Sequence, residues 1–284
     1  MKMMFYTPEY GVVENVFGAA TFGFVGAEDE TCGKAMAFPE DVQGMLIHGS
    51  YEECLQQIPE GRSWQAGIVL LGNAGGENEF IRGLAKKVQA PLTGGGAAIH
   101  PGSGESGLIT GHNQAAVLLL SDERYEIEVC CENIHSDILG EHEITFTDPR
   151  VIEKIDGQEP IGWLLARKKE LGLAPEDFEH LTFADAYGVN AHLSEKNGQI
   201  CSGRDLQKHM YLRYVPAEKV LARMQAFYDD KDAIVFGCAG LKGILPEHLK
   251  AQGLGLFLFG EVCTIDGYSE FGNLMLSKIR ICRK

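Results

Sequence analysis

Three side chains and three glycines carry most of the chemistry this sequence offers. Glu261 follows the apolar run Leu-Gly-Leu-Phe-Leu-Phe (254–259) and Gly260, at the point where a buried strand is expected to emerge from its sheet. A carboxylate there can hold a ligand's ammonium group or move a proton, because desolvation and hydrogen bonds shift its ionisation. Cys238 closes a second apolar run, Ala-Ile-Val-Phe-Gly-Cys (233–238). Its thiol becomes a nucleophile where a histidine or a helix terminus stabilises the thiolate; otherwise it is a small apolar residue lining a pocket. Asn273, in Phe271-Gly272-Asn273, can orient a ligand or cap its loop. Gly94-Gly95-Gly96 can turn backbone N–H groups toward a carboxylate or phosphate, or let two strands approach closely. These six are the candidate ligand-binding residues, and none is assigned a catalytic role.

Other constellations fall short of a site. His135 and His142, beside Asp137, Glu141 and Glu143, read as an exposed acidic loop rather than a metal centre. The loop over 72–76 fits neither the dinucleotide fingerprint nor the phosphate-binding loop, and the serines at 103 and 106 lie out of register for a nucleophile elbow. Eight cysteines are spread over the chain without a C-x-x-C pair, and adjacent Cys130 and Cys131 point to opposite faces of a strand. No metal and no cofactor are expected.

The totals describe a globular chain. Of 284 residues, 45% are hydrophobic and 23% charged, close to the average for packed domains, and the length suits two compact parts. A net charge of −15 repels phosphate backbones and anionic lipid surfaces, so nucleic acid and membrane are not the expected partners. Apolar runs are strand-length, too short to span a bilayer. The first eight residues lack the apolar core of a secretory signal, and a cytoplasmic location is the expectation.

The elements that must position the candidate residues follow from periodicity. Helical spacing marks 51–58, 77–88 (Phe80, Ile81, Leu84 and Val88), a segment opened by Pro160 and ending at 171, and 217–228. Apolar runs mark strands at 66–71, 233–237 and 254–259. Strands at 115–120 and 125–131 flank a hairpin loop at 121–124, and 143–146 and 150–155 extend them into a meander closed by Asp156-Gly157. A loose strand region over 181–189, a turn at Lys196-Asn197-Gly198, a short helix over 246–251 and an edge-like strand over 274–281 complete the order. The fold class is α+β, a mixed α/β chain of two related halves, with mixed, largely antiparallel sheets flanked by helices. The division falls at 1–142 and 143–284.

Arg-Val-Ile-Glu-Lys-Ile-Asp-Gly-Gln-Glu-Pro (150–160), Ala-Ile-Val-Phe-Gly-Cys-Ala-Gly (233–240), and Gly260-Glu261 followed by Phe271-Gly272-Asn273 resemble the FIST family (F-box and intracellular signal transduction). Pro-Leu-Thr-Gly-Gly-Gly-Ala (91–97) and 115–120 resemble its amino-terminal part, and 150–284 its carboxy-terminal part, with 1–65 divergent. The resemblance implies a sensory module that binds a small molecule, such as an amino acid, in a cleft between the halves, with a signalling partner. The alternatives are an enzyme acting through Cys238 or Glu261, and a protein–protein interaction module without a ligand. Gly272 stands where the family pattern has a histidine, which removes a natural acid–base partner for Glu261.

Overall fold

The computed structural model describes residues 2–6, 17–22, 24–25, 33–37, 42–72, 75–98, 108 and 113–284. Strands β1 (Lys2–Tyr6), β2 (Phe17–Ala20) and β3 (Gly33–Ala37) form a small sheet of order β2-β1-β3. The next elements are β4 (Gly44–Gly49), α1 (Tyr51–Gln57), β5 (Ala66–Leu71), α2 (Glu77–Val88), β6 (Leu92–Gly96), β7 (Ala115–Leu120) and β8 (Tyr125–Glu132). A unit of short elements comes after them: β9 (Asp137–Thr145), β10 (Val151–Ile152), β11 (Lys154–Ile155), α3 (Pro160–Glu170), β12 (Leu181–Ala184), β13 (Asn190–Ala191), β14 (Leu193–Lys196), β15 (Gln199–Ser202) and β16 (His209–Tyr214). The chain ends with α4 (Ala217–Tyr228), β17 (Ala233–Cys238), a 3-10 helix (Ala239–Ile244), β18 (Leu254–Ile265), β19 (Tyr268–Gly272) and β20 (Leu276–Arg283). The result is a mixed α+β fold.

The central sheet has the order β4-β7-β5-β6-β18-β17-β20-β8, with β19 paired to β18. Its pairings run antiparallel, antiparallel, parallel on one side of β6/β18, and parallel, antiparallel, antiparallel on the other; β6 and β18 themselves are antiparallel. Order and direction therefore repeat about the β6/β18 seam, relating β4, β7, β5 and β6 to β8, β20, β17 and β18. The repeat is interrupted once, because β9 to β16 lie between β8 and α4. The expected boundary between residues 142 and 143 falls inside β9.

Alternation explains the layers. Ile68 and Leu70 of β5 face one core together with Leu118, Leu120, Ile234, Phe236, Leu256, Leu258 and Ile279, whereas Val69 and Leu71 face another beneath α1 and α2 with Phe80, Ile81 and Leu84. Strands covered on both faces need the continuous apolar runs seen in β5, β7 and β17. Each fully buried Leu, Ile or Phe contributes about 1.5–3 kcal/mol relative to exposure. A third core packs Val220, Met224 and Tyr228 of α4 on Val235 and Phe257, and a fourth lies within the interrupting unit around Trp163, Phe183, Met210 and Leu212.

Two expectations fail for a shared reason. Strands β7 and β8, four residues apart, do not pair; β7 bonds to β4 and β5, and β8 to β20. The sheet curls, so its β8 side closes over β5 and β7: Gln65 Nε2 donates to the Tyr125 carbonyl at 3.1 Å, and Tyr125 shares the inner core with Leu118 and Leu120. Segment 121–124 is thus a corner between sheet regions and not a hairpin, and of the expected meander only its last pair forms, β9 with β11 antiparallel through Thr145–Lys154 and Ile144–Ile155. Likewise β20 lies between β17 and β8 rather than at an edge. The helix expected over 246–251 is absent; the 3-10 helix at Ala239–Ile244 precedes it, and Pro246 accepts a single turn bond from Leu249. Other readings hold. Asp156 (φ 50°) and Gly157 (φ 75°) form a two-residue turn closed by reciprocal Ile155 and Gln158 bonds, and Pro160 opens α3 with Glu159 capping Ile161 and Gly162.

Candidate functional site

Gly94, Gly95 and Gly96 are residues of β6 and not of a loop, paired with Val262, Glu261 and Phe259 of β18 across the seam. A Cβ on Gly95 would overlap the Gly260 carbonyl oxygen, and one on Gly94, whose φ is +122°, would overlap the Val69 carbonyl. The glycines here serve close strand approach.

Strand β18 does not stop at Phe259. It continues to Ile265 through a register shift between Phe259 and Glu261, with Gly260 at φ 68°. This is a bulge, in which one strand carries an extra residue and the side chains beyond it are re-aimed. Glu261 therefore sits within a strand and is fully buried, rather than in the loop expected from sequence. Its Oε2 accepts the Met275 N–H at 3.2 Å, while Oε1 has no hydrogen-bond partner among the described residues. Burial pushes the Glu261 carboxyl well above its ordinary value, against the single favourable N–H. That environment favours the protonated acid over the carboxylate.

Cys238 ends β17 beside this carboxyl. Its N–H donates to the Met275 carbonyl at 3.3 Å, so Cys238 and Glu261 clasp the same residue of the β19–β20 connection. Burial and the neighbouring Glu261 raise the thiol to about 12, outweighing the N–H groups of Leu274, Gly240 and Gly260. Such a thiol is protonated at neutral pH and offers no thiolate for nucleophilic attack. Asn273, 3% exposed, donates its N–H to the Asn190 carbonyl at 3.0 Å and accepts the His192 N–H at 3.4 Å. A Cβ on Gly260 would come within 2.9 Å of its Nδ2, so bulge and asparagine are in contact range. The six candidates are thus gathered at the seam, and all are buried. Cavities of about 190, 500 and 290 Å³ are lined instead by residues around His142, Thr264 and Ile200, respectively.

The histidine cluster disperses. His135 is fully buried, its Nε2 2.7 Å from the Glu179 carbonyl oxygen, and burial lowers it to about 4. His142 pairs with Asp156 at 2.7 Å and sits edge-on to Trp163. Among the described residues no group of three or more His, Cys, Asp or Glu could hold a metal ion. The expected nucleophile-elbow mimic at 102–107 lies outside the described residues, as do residues 73 and 74 of the 72–76 loop.

A buried ionic network has almost no mark in the sequence. Arg204 and Asp185, both fully buried at the side chain, pair at 3.1 Å, and Arg204 lies 3.9 Å from the equally buried Glu270. Glu270 also accepts from Arg82 Nε at 2.6 Å, from the Tyr268 hydroxyl at 2.6 Å and from Asn78 Nδ2 at 2.5 Å. Arg150 of the interrupting unit reaches Glu77 at the start of α2 at 3.1 Å. These bonds dock the interrupting unit on α2 and β19. Glu270, in the mixed strand Tyr-Ser-Glu-Phe-Gly, carries no signal of burial, and neither do Arg204 and Asp185.

The chain matches no family model, and no curated protein matches it.

Proposed function

We propose that the protein is a small-molecule-binding sensory module of the FIST type, with the ligand held at the seam between the repeated halves and Glu261 as its polar anchor. One observation carries the reading: a fully buried carboxyl with an oxygen that lacks a partner among the described residues. Leaving a buried acceptor unsatisfied costs about 1–3 kcal/mol, and a ligand's ammonium or N–H group would relieve that cost. An ammonium beside Glu261 would also favour the carboxylate, so an amino acid or a related amine is the preferred class, and its binding would release a proton. Asn273 and the N–H groups around Cys238 would orient the remaining polar atoms, over walls supplied by β17 and β18. Signalling output would follow from unequal affinity for two conformations or from a partner surface.

The rival reading, an enzyme acting through Cys238 or Glu261, is weaker at Cys238, whose thiol burial and Glu261 push up to about 12. A thermal-shift screen with amino acids, amines and central metabolites tests the proposal. A ligand present at about a hundred times its dissociation constant stabilises by ~2.7 kcal/mol. The response is expected to vanish in Glu261→Gln while that variant keeps its fold. A silent panel, or a hit indifferent to Glu261→Gln, sinks the assignment; turnover of the hit moves it to the enzymes.

A further inference from the structure

We propose that Cys131 and Cys263 form a redox-active dithiol, converted by hydroperoxides to a disulfide that ties β8, at one end of the curled sheet, to β18 at its seam. Both are free thiols, and β17 and β20 separate their strands in the sheet order. The curl brings them together. The Thr264 N–H donates to Cys131 Sγ at 3.2 Å, and Thr264 N is two covalent bonds from the Cys263 Cα. That Cα therefore lies within about 6 Å of the Cys131 sulfur, so the two residues are neighbours across the curl. The Cys263 thiol and the Ser277 side chain also hydrogen-bond to Cys131.

The surroundings make the two sulfurs unequal. Burial pushes the Cys131 thiol up, but its bonds with Cys263, Ser277 and the Thr264 N–H outweigh burial and leave it below the ordinary thiol value. Cys263 is held well above, by its bond to Cys131, by burial and by Glu261 nearby. Cys131, the more exposed of the two, is thus the attacking thiol, and Cys263, fully buried behind it, the resolving thiol. The Cys131 sulfur attacks one oxygen of the hydroperoxide; the O–O bond breaks, the alcohol (water, from hydrogen peroxide) leaves with a proton, and Cys131 becomes a sulfenic acid. Cys263 sulfur then attacks Cys131 sulfur, the S–O bond breaks, and water leaves with the Cys263 proton. The sulfur pair loses two electrons and the hydroperoxide gains them. Cys131 is partly exposed, so the oxidant meets it first. Nothing in this chemistry requires a ligand at Glu261, and a silent metabolite screen leaves it intact.

The test is hydrogen peroxide treatment of the folded full chain, followed by alkylation, digestion and mass spectrometry, in the wild type and in a Cys130→Ser variant that removes the adjacent exposed thiol. The expected result is a Cys131–Cys263 cross-link with the loss of two hydrogens, reversed by dithiothreitol, and a thermal midpoint raised by several degrees. In Cys263→Ala, Cys131 is expected to stop at a sulfenic acid that dimedone traps. The proposal is overturned if folded protein oxidises only at other cysteines, or if the cross-link forms only after unfolding in urea.

Discussion

The two halves of the central sheet share strand order and direction, yet one supplies backbone and the other side chains. β6 meets the seam with Gly94, Gly95 and Gly96, whereas β18 brings Glu261 and Cys263, β17 brings Cys238, and β8 brings Cys131. The helical coverings differ too: α2 spans twelve residues, and its counterpart is a 3-10 helix of six. The asymmetry has a steric cause. At a repeat axis the paired strands compete for the same volume, and the bulge at Gly260 places a carbonyl where a Gly95 side chain would stand. One strand can present a carboxyl there only because the other presents nothing.

The largest expected effect breaks that arrangement. Gly94→Ala forces a Cβ into the Val69 carbonyl at φ +122°, and is expected to cost at least about 4 kcal/mol or to abolish folding. Gly61→Ala, at φ +72° with open space around it, is expected to cost only about 1 kcal/mol. Urea unfolding of both measures the contrast. A mild Gly94→Ala would show that the seam tolerates side chains from both halves.

The next effect sets buried charge against exposed charge. Arg204→Met strands Asp185 and weakens the hold on Glu270, and is expected to cost about 3–5 kcal/mol. Arg280→Ala, which breaks a half-exposed pair with Glu128 on β8, is expected to change stability by less than about 1 kcal/mol. Equal losses would mean that the interrupting unit is not docked through the network.

These contrasts also show what the sequence could reveal. Strands β5, β7 and β17 are legible because burial on both faces leaves an uninterrupted apolar run, and α2 because Phe80, Ile81, Leu84 and Val88 repeat at helical spacing. Gly94 to Gly96, Cys238, Glu261 and Asn273 stand out in the sequence as glycines or polar groups beside apolar runs. Their burial is not legible, because a bulge leaves no mark that separates it from the end of a strand: Gly260 reads equally as either. The curl is illegible as well, since local pattern cannot say whether 121–124 joins neighbours or opposite regions of a sheet. Arg204 and Asp185 acquire their meaning only from tertiary pairing.

A smaller, pH-dependent effect separates two buried groups of opposite sign. His135, lowered to about 4 in the folded state, is protonated first in the unfolded chain, so its contribution to stability falls as pH drops from about 6.5 toward 4. Glu261 is raised, so the folded state keeps a proton that the unfolded state releases above about 4.3; its contribution falls as pH rises from there toward its folded value. Above about 4.3 the two slopes oppose each other, at up to ~1.4 kcal/mol per pH unit each. Relative to wild type, Glu261→Gln is therefore expected to steepen the loss on acidification and to be the more stable at neutral pH, whereas His135→Gln flattens it. Unfolding free energies at pH 5 and 7 give both differences, and a Glu261→Gln variant parallel to wild type would show that Glu261 is ionised when folded.

The smallest effect compares the helices that precede β5 and β17. α1 begins with a reciprocal capping box in which the Ser50 hydroxyl accepts the Glu53 N–H and the Glu53 carboxylate accepts the Ser50 N–H; α4 begins at Pro216 with no side-chain cap. Ser50→Ala removes the acceptor and is expected to cost about 1 kcal/mol. Pro216→Ser supplies the oxygen that α4 lacks but gives up the fixed φ of proline, and gains and losses of about 1 and 0.4–1 kcal/mol leave it near neutral. If Ser50→Ala proves neutral as well, α1 is held by its packing on Phe80 and β4, as α4 is held by Val220 and Met224, and the two helices are equivalent in origin of stability as they are in position.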